Sequence, residues 1–232
     1  MDWARENTSS TIWSCLASHA AVLHADGIER LPIGEKLCGV FDCAPAGSHP
    51  MTIDAAMGLR VPHSRYNGLP ERELASAGYR LLTRSALAGV DMFARQDKSF
   101  HLFMQGHPEY EATTLLREYR RDVGRYLRRQ RETYPVMPRD YFSDAAAAVA
   151  NAFQGRAVAD RRERLVGNFP MSTLADGLES PWRACAIGIY RKWLEYLCGR
   201  KAERRPRNVL LRRAWRDWPA GVVPQTADGP AE

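Results

Sequence analysis

The spacing of apolar residues changes period several times along this chain, and the changes divide it into elements. A short β-type run, "STIWS" over 10–14, passes directly into "CLASHAAVLHAD", which predicts a helix over 16–26. The opening "MDWARENTSS" reads as the end of a helix and a turn. Loose alternation in "KLCGVFDC" predicts a strand over 36–43. Residues 44–70 are rich in Pro, Gly, His and Ser and read as loop, with room for one short strand or helix. Three more strands are expected at 79–84, 89–95 and 99–104, the last two joined by a hairpin through "RQDKSF". Leu115, Leu116, Tyr119, Val123, Tyr126 and Leu127 recur at helical spacing and predict a long helix over 111–132. Two further helices are expected at 143–157, with Ser143 and Asp144 in the cap region, and at 180–199, closed by Gly199. Strand, helix, several strands, then helices is an α/β order, in which ligand sites lie at the carboxyl ends of strands.

Composition narrows this picture. The chain has 232 residues, 45% of them hydrophobic, enough for one large domain or two small ones. No apolar run is long enough for a transmembrane helix, and no charged segment followed by an apolar stretch marks a signal peptide. The five cysteines (Cys15, Cys38, Cys43, Cys185 and Cys198) are odd in number and contain no CxxC pair, so reduced thiols in a cytoplasmic protein are expected. Histidines and cysteines do not cluster at ligand spacing, so no metal is implied. The net charge of +6 is uneven, with Arg concentrated in 117–131 and 200–216. Without a recognised binding motif, the second cluster reads as a solvated helix face and a loose tail rather than a nucleic-acid site. Residues 1–199 are therefore taken as one domain, and 200–232 as an Arg-rich extension ending in a disordered tail.

Two short segments carry candidate chemistry. Cys15 falls at the junction of the first strand and the first long helix. A helix N-terminus favours a thiolate, which is one way to make a nucleophile. "GHPEY", 106–110, stands between a strand and a helix, and its His107 and Glu109 are two residues apart. A nucleophilic thiol needs a base, and the base benefits from a third group that fixes its tautomer. Cys15, His107 and Glu109 would supply those roles, each near a strand's carboxyl end.

Three blocks sharpen this reading: "TSSTIWSCLASHAAVLHADGIERLPIGEKLCGVF", "VPHSRYNGLPERE" and "FHLFMQGHPEYEATTLLREYRRDV". Together they resemble the homoserine O-succinyltransferase family over about residues 2–198. The resemblance implies a flavodoxin-like, class I glutamine amidotransferase-like fold, a three-layer α/β sandwich. It implies transfer of an acyl group from acyl-CoA to the hydroxyl of L-homoserine, in methionine biosynthesis, with no permanently bound cofactor. Succinyl-CoA is favoured over acetyl-CoA by the family name alone. Cys15 matches the nucleophile that carries the acyl group, His107 the general base and Glu109 its acidic partner. Lys36 in "GEKLCGV", Ser64 in "PHSRY" and Arg121 in "EYRRD" match substrate-contacting positions, with Arg121 preferred over Arg120 by register. The backbone N–H of Leu16, directly after the nucleophile, is the expected first oxyanion donor. A homodimer is also implied.

Family members extend further at the N-terminus, so the resemblance implies that the first strands of the sheet, and a second oxyanion donor, are missing here. Two alternatives stay open at this point. One is a family remnant that keeps these residues without the reaction. The other is a class I glutamine amidotransferase, which shares a Cys-His-Glu set but gives "PHSRY" and "EYRRD" no evident role.

Overall fold

The computed structural model describes residues 1–51 and 58–204. Its centre is a five-stranded mixed sheet. After a short helix, α1 (Asp2–Asn7), strand β1 (Ser10–Ser14) leads into helix α2 (Leu16–Asp26). Strand β2 (Leu31–Asp42) follows, then the two-residue β3 (Ala44–Pro45), β4 (Arg60–Gly68) and a one-and-a-half-turn helix, α3 (Glu71–Ser76). The meander β5 (Arg80–Ser85), β6 (Gly89–Gln96) and β7 (Phe100–Met104) comes next. Helices α4 (Thr114–Leu127), α5 (Asp144–Ala159), α6 (Met171–Ala175) and α7 (Arg183–Arg204) complete the described chain, with a 3-10 turn at Glu163–Asn168. The sheet order is β1-β7-β6-β5-β3, and β2 with β4 forms a separate antiparallel ribbon.

Burial explains the layers. Strand β7, "FHLFM", is buried at every position, so it needs cover on both faces. Phe100, Leu102 and Met104 point to a cluster with Met92, Ala94 and the α7 residues Cys185 and Ile189. Phe103 points the other way, to Phe93, Tyr79, Leu74 of α3 and Ala21 and Val22 of α2. The sheet is thus the middle of three layers, as expected for an α/β sandwich. The six apolar residues that predicted α4 are all buried. All but Leu115 pack with Phe169, Phe153 of α5 and Leu174 of α6 in a second core beside the sheet, while Leu115 packs with Cys38, Val40 and Trp182.

Several boundaries differ from expectation. Residues 60–68, in the stretch expected as loop with room for one short strand or helix, form the nine-residue β4. Its His63 and Arg65 are buried polar residues with partners inside the fold, which broke the apolar alternation. Strand β2 starts at Leu31 rather than 36, its pairing interrupted between Pro32 and Leu37. Helix α4 is shorter than 111–132, because Arg129 takes φ +60°, which a helix cannot continue through. Gly199 does not close α7, which runs on to Arg204, so the expected 199/200 boundary falls inside a helix. Helices α3 and α6 and the 3-10 turn were too short to leave a periodic signal. The Ser143 cap holds: its side chain accepts from Ala146 N at 3.3 Å. Arg-rich residues 205–216 and the expected disordered tail lie outside the described residues. No described helix is long and apolar enough to cross a membrane, and the five cysteines are free thiols.

Candidate active site

Parallel pairing of β1 with β7 sets Ser14 opposite Met104, so the two strands end together. Whatever follows each strand is then brought to one place. Cys15 follows β1 and Gly106–His107 follows β7 within three residues.

Cys15 has φ +48° and ψ −115°, a conformation that side-chain-bearing residues rarely adopt. It is held there from both sides. Its N–H continues the β1–β7 ladder to Met104 O at 2.7 Å. Its carbonyl accepts from Ser18 N (3.0 Å), His19 N (3.3 Å) and the Ser18 hydroxyl (2.7 Å), which starts α2. A sharp strand-to-helix turn of this kind lifts the side chain it carries clear of the sheet. Because the Cys15 N–H is spent on the sheet, it cannot serve an oxyanion. Leu16, at the first helical position, has no preceding helical carbonyl for its N–H to bond.

His107 is anchored by its own N–H to Pro62 O at 2.8 Å. Its Nδ1 lies 2.8 Å from Glu109 Oε1, and Ser14 Oγ donates to the same oxygen at 3.4 Å. Burial pushes His107 down, but hydrogen bonds to Cys15 and Glu109 and their negative charge more than offset it and raise it to about 9. Glu109 moves oppositely: burial pushes it up, the His107 contact dominates, and the result is a lowered value. His107 therefore lies between Cys15 and Glu109, in reach of both. The Tyr110 ring also stacks on His107, with centroids 4.1 Å apart.

Lys36 (β2), Ser64 (β4) and Arg121 (α4) meet in a second group beside the first. Two residues that the sequence reading missed, Glu118 and Asp122, join them. Lys36 Nζ donates to Asp122 Oδ2 at 2.8 Å and to Glu118 Oε2 at 3.2 Å. Ser64 Oγ donates to Glu118 Oε2, and Tyr110 O–H to Glu118 Oε1 at 2.7 Å. Arg121, not Arg120, pairs with Asp122 (3.0 Å) and Glu118 (3.7 Å). Burial alone would raise both carboxyls; the Ser64, Tyr110 and Lys36 contacts hold Glu118 low, and Lys36 and Arg121 hold Asp122 low. The missed signal was local: Glu118, Arg121 and Asp122 stand at i, i+3 and i+4 on α4, one face of a helix.

Under this site lies a third polar group. Cys43, His63 and Asp91 place their ligand-type atoms within 4.8 Å of one another, a clustering that sequence spacing hid. Its wiring is that of a structural brace. Arg65 Nε donates to His63 Nδ1 at 3.3 Å, which leaves the proton on Nε2, facing Asp91 Oδ1 at 3.3 Å. Asp91 also accepts from Thr83 Oγ1 at 2.8 Å and from the Gly106 backbone. Burial lowers His63, consistent with a neutral ring. Gly106 closes the space above: a Cβ there would sit 2.7 Å from Asp91 Oδ1 and 2.9 Å from His63 Nε2. His63 Nε2 and Asp91 Oδ1 face each other without a hydrogen bond of their own, beneath Gly106.

On the outer side, an open groove of about 1040 Å³ runs between Glu109–Thr113 and α7, lined by Ile187, Tyr190 and Leu194 and flanked by Arg183 and Arg191.

The model of the homoserine O-succinyltransferase family matches residues 1–204. The homoserine O-succinyltransferase of Methylorubrum extorquens is 45% identical over 204 residues, covering 87% of this chain and 61% of the relative. That of Bradyrhizobium japonicum is 50% identical over 197 residues, covering 85% of this chain and 60% of the relative. The chain thus spans about 60% of the length of these relatives. Among solved structures, a glutamine amidotransferase from Methylobacillus flagellatus superposes with a TM-score of 0.48 at 15% identity, covering 84% of this chain and 65% of that one.

Proposed function

The chain belongs to the homoserine O-succinyltransferase family, and from that premise we propose that it carries the acyl-transfer centre for O-acylation of L-homoserine by acyl-CoA. The observation that carries the reading is the convergence of Cys15, His107 and Glu109 at a strained strand-to-helix turn, beside a cluster of fixed charges.

In this reading an imidazolium at His107, steadied by Glu109, leaves the Cys15 sulfur ready to attack as thiolate. The sulfur adds to the acyl-CoA carbonyl, with the developing oxyanion at the Leu16 N–H. The tetrahedral species collapses to a thioester on Cys15. CoA departs as its thiolate and takes the proton from His107. The homoserine hydroxyl then gives its proton to His107 while its oxygen attacks the thioester. The new ester forms as the Cys15 thiolate leaves. Arg121 is half exposed and has unused N–H groups for the homoserine carboxylate. Lys36 and Ser64 order that side of the site, and Glu118 is the carboxylate available to the substrate's ammonium. The groove along α7 reaches Glu109 and Tyr110 and gives a long acyl donor room to approach. Succinyl-CoA is the expected donor, as the relatives' names suggest, with acetyl-CoA the alternative. A homodimer and a cytoplasmic location are part of the same reading.

Intact-mass spectrometry after brief incubation with each donor tests it. One succinyl group added at Cys15 supports the reading, and acetyl in its place would correct the donor. No adduct from folded protein with either donor would mean that this chain keeps the residues without the reaction.

A further inference from the structure

Tyr110 touches both polar groups of the site. Its ring lies nearly parallel to the His107 imidazole, at 19° and 4.1 Å between centroids. Its O–H donates to Glu118 Oε1 at 2.7 Å. Glu118 in turn accepts from Ser64 and, at 3.2 Å, from Lys36, the members of the second group on β4 and β2. The Trp182 indole N–H donates to the Tyr110 carbonyl at 2.8 Å and fixes the backbone of this residue. One rigid side chain therefore spans the loop that carries the proposed base and the helix that carries the charge cluster.

We propose that Tyr110 is a positioning residue that couples His107 to Glu118, so that the state of the charge cluster is felt at the imidazole.

The physical basis is the ring's electron density. A phenol that donates to a carboxylate is more electron-rich, and an electron-rich face stabilises an adjacent cation. Burial pushes the Tyr110 phenol well up, so it stays protonated and remains a donor over the working pH range. The other groups facing His107 and its partner are Cys15 from the β1–α2 turn, Glu109 on its own loop, His63 from β4, and Ser14 and Tyr190 against Glu109. None of them bridges to Glu118. The inference rests on the proposed role of His107, but its test does not need turnover.

The test is a double-mutant cycle read by NMR titration of the His107 ring in the full chain. Six histidines are present, and the His107 resonance is identified by its loss in His107→Gln. Glu118→Gln is expected to lower the His107 midpoint by about 0.3–0.5 pH unit when Tyr110 is present. In the Tyr110→Phe background, which keeps the stacked ring but loses the link, the same change should move it by less than half as much. Equal shifts in both backgrounds would overturn the coupling, as would no shift in either. Both substitutions are nearly isosteric, so the fold should persist. Absence of acyl transfer by the parent chain would count against the proposed function while leaving this result to stand or fall by itself.

Discussion

The Cys15–His107–Glu109 set and the Lys36–Glu118–Asp122–Arg121 cluster are neighbours built on opposite plans. In the first, each member has one task and few substitutes: Glu109 is the only carboxylate hydrogen-bonded to His107 among the described residues. In the second, each carboxylate has several partners. Glu118 meets Ser64, Tyr110, Lys36 and Arg121, and Asp122 meets Lys36, Arg121 and Arg125. A chain of single links should fail in all-or-none fashion. A mesh should fail in proportion to the burial of the charge left unpaired.

The largest expected effect is at the single-link end. Cys15→Ser keeps shape and removes the sulfur, and the rate of acyl-enzyme formation followed by intact mass should fall by about four orders of magnitude or more. An acyl adduct of undiminished yield in that variant would put the nucleophile elsewhere.

The next effect belongs to the buried cation of the mesh. The Lys36 side chain is only 9% exposed and faces Asp122 at 3%. Lys36→Met leaves two carboxylates close together without their shared ammonium, and unfolding in urea should show a loss of about 3–5 kcal/mol. Adding Asp122→Asn should recover part of it. A loss below about 1 kcal/mol would mean that the mesh behaves like ordinary surface ion pairs.

Arg121 gives the smallest change in stability and the most selective change in function. Its side chain is 48% exposed, so Arg121→Ala should alter stability by no more than about 1 kcal/mol. Loss of one charge-assisted contact to the homoserine carboxylate should raise its KM about 10–100-fold. Thioester formation on Cys15 should stay within about twofold of the parent. Equal damage to both steps would show that Arg121 acts by holding Glu118 and Asp122 rather than by holding substrate.

The contrast between the two plans also explains what could be read without a structure. His107 and Glu109 are two residues apart, and Cys15 is marked by the switch from strand to helix, so the first set leaves a local trace. The second set draws on β2, β4 and α4, and its hub, Glu118, looks like one more charge on an Arg-rich helix. Strand β4 was hidden for the same reason. His63 and Arg65 belong inside only because Asp91, Thr83 and the Ala88 carbonyl are there to receive or support them. A polar residue is read as exposed until its partner is known.

The sequence by itself determined the strand–helix–strands–helices order, the apolar faces of β7 and α4, and the two segments that hold Cys15 and His107. These are properties of short windows, where period and turn chemistry act locally. Only the tertiary structure decided that β1 lies parallel to β7, that Glu118 gathers Lys36, Ser64 and Tyr110, and that Gly39 must be glycine. A Cβ at Gly39 would sit 2.8 Å from Arg139 Cα, with φ at +145°, where a segment a hundred residues away lies against the ribbon. The reason is common to all three: a contact between distant residues depends on how the layers stack, and burial energy summed over the whole core, not any single window, selects that stacking.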